Sequence, residues 1–353
     1  MKILAINPGS TSTKIAVYED NTPVLLHTIR HDVEELSRYA TVTEQFEFRK
    51  DLVLHALEAN NVPFAFDAII GRGGLVKPIP GGVYEVNNEL RNDLIHAKRA
   101  HASNLGGLIA HELAGILPDC KAYIADPVVV DELDDVARLS GSPLLPRVSI
   151  FHALNHKATA RRYAKEQGVK YEEQNLIVCH MGGGITVAAH RNGRAVDVNN
   201  GLDGEGPYAP ERAGTLPAGE LINLCFSGKF TQEEVQKMVV GNAGLAAHLG
   251  TTNVIEVIEK VKQGDEHADY VLNGMIYNIA KAIGAAAVVL RGKVDAILLT
   301  GGLAYSDYLI PKLKAYISFL GTVYVYPGED EMEALAFNAL GALSGELSVK
   351  VYK

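Results

Sequence analysis

The stretch Asn7-Pro8-Gly9-Ser10-Thr11-Ser12-Thr13-Lys14 gathers an amide, four hydroxyls and an ammonium between two apolar runs, residues 3–6 and 15–18. It reads as strand, polar turn, strand. Such a turn offers an anion many donors, and Gly9 lets the backbone come close, so a phosphate is its natural guest. An ordinary hairpin with a polar tip can be read from the same letters. The Walker loop does not fit, because Lys14 opens a strand-forming run instead of a helix.

Other groups suited to anion chemistry stand where apolar runs end. Arg72, in Gly71-Arg72-Gly73-Gly74, follows the run 65–70 and can pair a carboxylate or phosphate through two hydrogen bonds, or lie on the surface of a glycine-rich loop. Asp126 follows the run 121–125 and can orient magnesium or cap a turn. His180 leads into Gly182-Gly183-Gly184, a second glycine turn between strands. The two turns suggest phosphate loops facing across a cleft. Gly301-Gly302 ends a strand built like the one before Arg72. His152 and His156, four apart, share a helical face and suit zinc, though no third ligand has credible spacing. Glu329, Asp330, Glu331 and Glu333 precede a helix whose N-terminus they complement.

These residues need two layers of support. At 353 residues the chain exceeds the usual single-core ceiling of about 250–300, so two domains are expected, 1–150 and 151–334, with a terminal helix (about 335–353) returning to the first. Each domain reads as a three-strand meander extended by β-α-β units, and helices are expected at 44–59, 105–116, 254–261, 271–290 and 333–343. Ser103 or Asn104 is the expected cap of the second of these helices, with His101 just ahead of it. Asp131, Glu132, Asp134 and Asp135 read as a solvated acidic helix start. Cys120, Cys179 and Cys225 are far apart and odd in number, which predicts buried free thiols. A net charge of −9 argues against nucleic acid as a partner. No apolar run approaches the roughly 20 residues of a membrane helix. A cytoplasmic location without a membrane partner is therefore expected.

Asn-x-Gly-Ser-x-Ser-x-Lys after an N-terminal strand resembles the signature of the acetate and butyrate kinase family, and the likeness runs in order along nearly the whole chain. It implies an α/β, duplicated ribonuclease H-like (actin-like ATPase) fold in two domains with an interdomain cleft. The activity it implies is reversible transfer of a phosphoryl group between ATP and a short-chain carboxylate, giving an acyl phosphate and ADP, with magnesium. By this resemblance Asn7, Ser10, Ser12, Lys14, His180, Gly182, Gly183, Gly184, Gly301 and Gly302 hold the nucleotide and its phosphates. Arg72, Asp126, His152 and Arg212 are catalytic, Asn7, Asp126 and Glu331 attend the metal, and His156 is nearer to structural. Homo-oligomers, dimeric or higher, are expected.

Where acetate kinases place valine-like residues after the arginine, this chain has Gly73 and Gly74. Two missing side chains predict a larger acyl pocket, lined also by Phe151 and Pro207, and so a preference for butyrate. Isobutyrate, propionate or acetate are the alternative acids. An actin- or Hsp70-like ATPase switch is the alternative of another class, although such a switch has no reason to carry Arg72, His152 and Arg212 together.

Overall fold

The computed structural model describes every residue except Lys98. Its described strands are β1 (Lys2–Pro8), β2 (Ser12–Glu19), β3 (Thr22–Arg30), β4 (Ala68–Arg72), β5 (Val83–Glu85), β6 (Lys121–Ala125), β7 (Asn175–Met181), β8 (Ile185–Arg191), β9 (Arg194–Val198), β10 (Ala296–Gly301), β11 (Val323–Pro327) and β12 (Val349–Lys350). The chain forms two compact units, Met1–Val130 with Asp330–Lys353, and Asp131–Glu329.

The first unit is built on a sheet of order β12-β5-β6-β4-β1-β2-β3. β1 and β4 are buried almost throughout, as strands covered on both faces must be. β1 runs antiparallel to β2 and parallel to β4, which runs parallel to β6. Asn7, Arg72 and Asp126 therefore emerge at the same, C-terminal, edge, where open α/β sheets bind ligands. The helix Asn104–Gly115 packs on β4 and β6, and the helix Glu331–Ser344 packs on β1, β2 and β4. Contact on the first side is backbone to backbone: a Cβ on Gly71 would lie 2.0 Å from the Gly106 carbonyl oxygen. Tyr352, 1% exposed, pins the chain's end by donating its hydroxyl to Asp93 and accepting from Asn87.

The second unit repeats this scheme in the order β11-β10-β7-β8-β9, with β7, β8 and β9 antiparallel and β10 and β11 parallel to β7. The helix Glu266–Val289 lies on β7, β8 and β9. By length and composition it could cross a membrane, which corrects the reading that no stretch approaches that size. Its buried positions, among them Ala268, Val271, Leu272, Met275, Ile276, Ile279 and Ile283, form one stripe at helical spacing against the sheet.

Residues 131–150, read as the end of the first domain, pack with the second unit. Asp134 N donates to Val196 O, and Arg147 pairs with Asp197 at 2.9 Å and Glu205 at 3.2 Å. The acidic run here is not a solvated helix start: Glu132 is buried against Lys157 at 2.9 Å, Asp131 meets Arg138 and Asp134 meets Arg191. All three cysteines are free, but only Cys179 is buried; Cys225 is exposed.

Because Gly71 leaves no room for a side chain, Gly71→Ala is expected to lower unfolding free energy by about 1–3 kcal/mol. Urea denaturation measures it, and an unchanged midpoint would show that the strand and helix are not in obligatory contact.

Candidate functional site

In the first unit the β1–β2 turn is closed by Gly9 N donating to Ser12 O at 2.7 Å. Ser10 and Lys14 are exposed and Ser12 half-buried, so the donors face solvent. The turn's carbonyls face inward. Arg49, from the helix Phe46–Ala59 and only 1% exposed, donates to Gly9 O at 2.8 Å, Ser10 O at 3.2 Å, Ser12 O at 3.3 Å and the Thr13 hydroxyl at 3.2 Å. Gln45 Oε1 holds the same guanidinium at 3.0 and 2.9 Å. Burial lowers the Arg49 pKa to about 10. His31 lies 2.9 Å from the Thr13 hydroxyl, and burial, with the Arg49 charge, lowers its pKa to about 4. None of Arg49, Gln45 and His31 was singled out from sequence. The signal was there for Arg49, which falls on the buried stripe with Val53 and Leu57 at four-residue spacing.

At the ends of β1 and β4, Asn7 and Arg72 share one carboxylate. Asn7 Nδ2 donates to Glu331 Oε2 at 2.5 Å, and Arg72 Nη1 pairs with Glu331 Oε1. Glu331 opens its helix, where the dipole favours a negative charge. His101 bonds the Ser103 hydroxyl at 2.8 Å, and desolvation, then the Arg72 charge, hold it below the usual imidazole range. Asp126 follows β6 directly, with a left-handed φ of +38°, and accepts from Gly82 N at 2.7 Å. A magnesium ion takes hard oxygen donors, often one or two carboxylates with waters and substrate phosphates. Asn7, Asp126 and Glu331 suit it by donor type, and among the described residues no three His, Cys, Asp or Glu side chains cluster as a metal cage.

Gly73 and Gly74 do not open space where a side chain is missing. A Cβ on Gly73 would lie 2.6 Å from Pro127 Cβ, and one on Gly74 would lie 2.7 Å from both Asn104 Cα and Leu94 Cδ2. The vacated volume is filled by the unit's own packing, and Asn104 Oδ1 fixes the loop by accepting from Leu75 N at 2.8 Å. Ser103, at the helix cap position, makes no capping bond through its side chain.

In the second unit each glycine of the β7–β8 turn admits one charged side chain. A Cβ on Gly182 would lie 2.8 Å from Glu329 Oε1, one on Gly183 3.0 Å from Glu211 Oε1, and one on Gly184 2.9 Å from Arg212 Nη1. His180, fully buried, meets the same Glu329 oxygen at 3.1 Å. Arg212 donates to Gly201 O, and burial lowers its pKa. His152 stands at the N-cap position of the helix Ala153–Gln167, with no capping bond from its side chain, and stacks on His180 with centroids 4.1 Å apart. Zinc is not the use of the His152 and His156 pair, since His156 spends both ring nitrogens on Thr186 and His190.

Gly301, with φ +92°, lets β10 cross the Met181 backbone, whereas Gly302 meets nothing within 4 Å. Phe151 is buried edge-on against His156 at 5.1 Å, and Pro207 is buried in the loop that leads to Arg212.

A repeated three-strand meander with two parallel strands beside it, bearing its polar groups at the C-terminal strand ends, defines the actin-like ATPase class of fold. The crystal structure of acetate kinase from Porphyromonas gingivalis has this fold, with a TM-score of 0.78 over 96% of this chain and 99% of that one at 20% identity. Residues 144–322 match the acetokinase family. A probable butyrate kinase of Bacteroides thetaiotaomicron is 68% identical over the full length of both chains, and butyrate kinase 2 of Clostridium acetobutylicum is 52% identical over 100% of this chain and 99% of its own. The chain belongs to the acetokinase family.

Two outcomes are expected of the buried brace. Arg49→Met strands the turn's carbonyls and is expected to cost about 1–3 kcal/mol by denaturant titration. Because His31 stays neutral in the fold while the unfolded chain takes up its proton, stability is lost as pH falls from 6.5 to about 4. His31→Gln is expected to flatten part of that slope; an identical slope would remove His31 from the account.

Proposed function

We propose that this chain is a butyrate kinase, moving the γ-phosphoryl of ATP directly to a butyrate oxygen to give butyryl phosphate and ADP, reversibly and in the cytoplasm. One observation carries the mechanism: each unit sets a guanidinium beside an anion-ready turn at its strand ends, Arg72 with Asn7 and Glu331 in one, Arg212 against Gly184 in the other.

A carboxylate is already ionised at pH 7, so the acceptor needs no strong base, and catalysis reduces to positioning and charge neutralisation. The hydroxyls of Ser10 and Ser12 and the Lys14 ammonium hold phosphate oxygens. Arg72 anchors the carboxylate and, with Arg212 and His152, spreads the charge of the metaphosphate-like group in transit. His180 and Gly182 to Gly184 position the nucleotide's phosphates, and Gly301 and Gly302 support its nucleoside. Asn7, Asp126 and Glu331 would hold a magnesium ion, which would supply further charge neutralisation. Gly73, Gly74, Phe151 and Pro207 shape the acyl site, with the two glycines acting by letting Pro127 and Asn104 pack against the loop that follows Arg72. The working form is a homo-oligomer.

Trapping acyl phosphate with hydroxylamine across acids of two to six carbons tests the reading. Butyrate is expected to give the highest kcat/KM; acetate equal to or above it would overturn the acid assigned, and no hydroxamate from any acid would point to a nucleotide switch instead. Arg72→Ala and Arg212→Ala are expected to fold normally and lose about a hundredfold or more in kcat. Near-normal turnover would refute their roles.

A further inference from the structure

A line of hydrogen-bonded side chains runs through the second unit to His152. The Tyr171 hydroxyl lies 2.6 Å from His190 Nδ1, His190 Nε2 lies 3.3 Å from His156 Nδ1, and the Thr186 hydroxyl lies 2.9 Å from both His156 Nε2 and His152 Nδ1. Tyr171, His190, His156 and Thr186 are all buried. The His156 and His190 rings lie 20° from parallel. Two ladders build the line: His152 and His156 follow each other by one helical turn, and Thr186 and His190 point to the same side of β8.

Burial, together for His156 with the neighbouring rings, holds His156 and His190 well below the usual imidazole range. Each therefore carries one ring proton, donating at one nitrogen and accepting at the other. In such a line the sense of one bond fixes all the others. A phenol donates more readily than it accepts, so Tyr171 gives its proton to the bond with His190 Nδ1. His190 then donates from Nε2 to His156 Nδ1, and His156 donates from Nε2 to the Thr186 oxygen. Thr186 has one proton, which points at His152 Nδ1.

We propose that Tyr171, His190, His156 and Thr186 are positioning residues that fix the tautomer of His152, keeping Nδ1 as acceptor and the proton on Nε2, available to the transferring phosphoryl group. The last clause rests on the kinase reading; the tautomer itself does not. In a low-dielectric interior a fully satisfied line of this kind selects one arrangement, because each reversed bond leaves a buried donor or acceptor unmet.

Nitrogen-15 correlation spectra of the protein labelled at histidine read the tautomer directly, without substrate, with His152 identified by the signals lost in His152→Gln. The expected result is a protonated Nε2 and a bare Nδ1. Thr186→Val cuts the line with a side chain of similar shape. It is expected to mix the tautomers and lower kcat about tenfold or more while KM for both substrates is kept. Thr186→Ser is expected to restore both readouts, and Tyr171→Phe to shift both in the direction of Thr186→Val. His152 protonated on Nδ1 in the unaltered protein, or Thr186→Val and Thr186→Ser with equal kcat, would overturn the proposal. If the spectra agree but no acid is phosphorylated, the relay stands and the kinase reading fails.

Discussion

A backbone turn carries as many carbonyl groups as amides, so it can present donors to an anion only if its carbonyls are taken up elsewhere. Arg49 meets that constraint in the first unit. Its buried guanidinium donates to the inward side of the β1–β2 turn, at the carbonyls of Gly9, Ser10 and Ser12 and the Thr13 hydroxyl, leaving the Ser10 hydroxyl and Lys14 outward. Burying an arginine without full hydrogen bonding would be costly, and Gln45 completes the set. The second unit solves the same problem with backbone donors, Gly184 O accepting from Gly182 N at 3.0 Å and Gly183 O from Glu211 N at 3.3 Å, while the three glycines leave room for Arg212 and two carboxylates beside the turn.

Once the turns are set, the remaining groups follow from strand direction. Parallel β4 and β6 beside β1 bring Arg72 and Asp126 to the edge that carries Asn7, and the helix starting at Glu331 returns a carboxylate there. In each unit a guanidinium and an imidazole stand near the strand ends, Arg72 with His101 in one and Arg212 and His180 about the glycine turn in the other. Such groups neutralise and orient charge, which suits a reaction whose nucleophile arrives already ionised.

Much of this was legible in the sequence because it lies in local patterns. The glycine-bearing turns, the strand ends at Arg72 and Asp126, and the duplicated meander are all encoded by short apolar runs and their punctuation. What escaped reading is what depends on packing between distant segments. Arg49 gains its role only from the turn it meets across 40 residues of chain, and Tyr171, Thr186 and His190 gain theirs only where β8 meets the helix after His152. Gly73 and Gly74 show the converse error. Absent side chains read as open space, whereas Pro127, Asn104 and Leu94 fill it. Likewise, Glu132 looked solvated until Lys157 appeared beside it in the interior.

The central claim is that these residues neutralise charge around a direct transfer between two substrates and never carry the phosphoryl group themselves. The stereochemical course at phosphorus tests it most directly, using ATP made chiral at the γ position with oxygen isotopes and butyrate as acceptor. A single in-line displacement predicts inversion of configuration in butyryl phosphate. Retention would require two displacements through a phosphorylated enzyme, and would contradict the account.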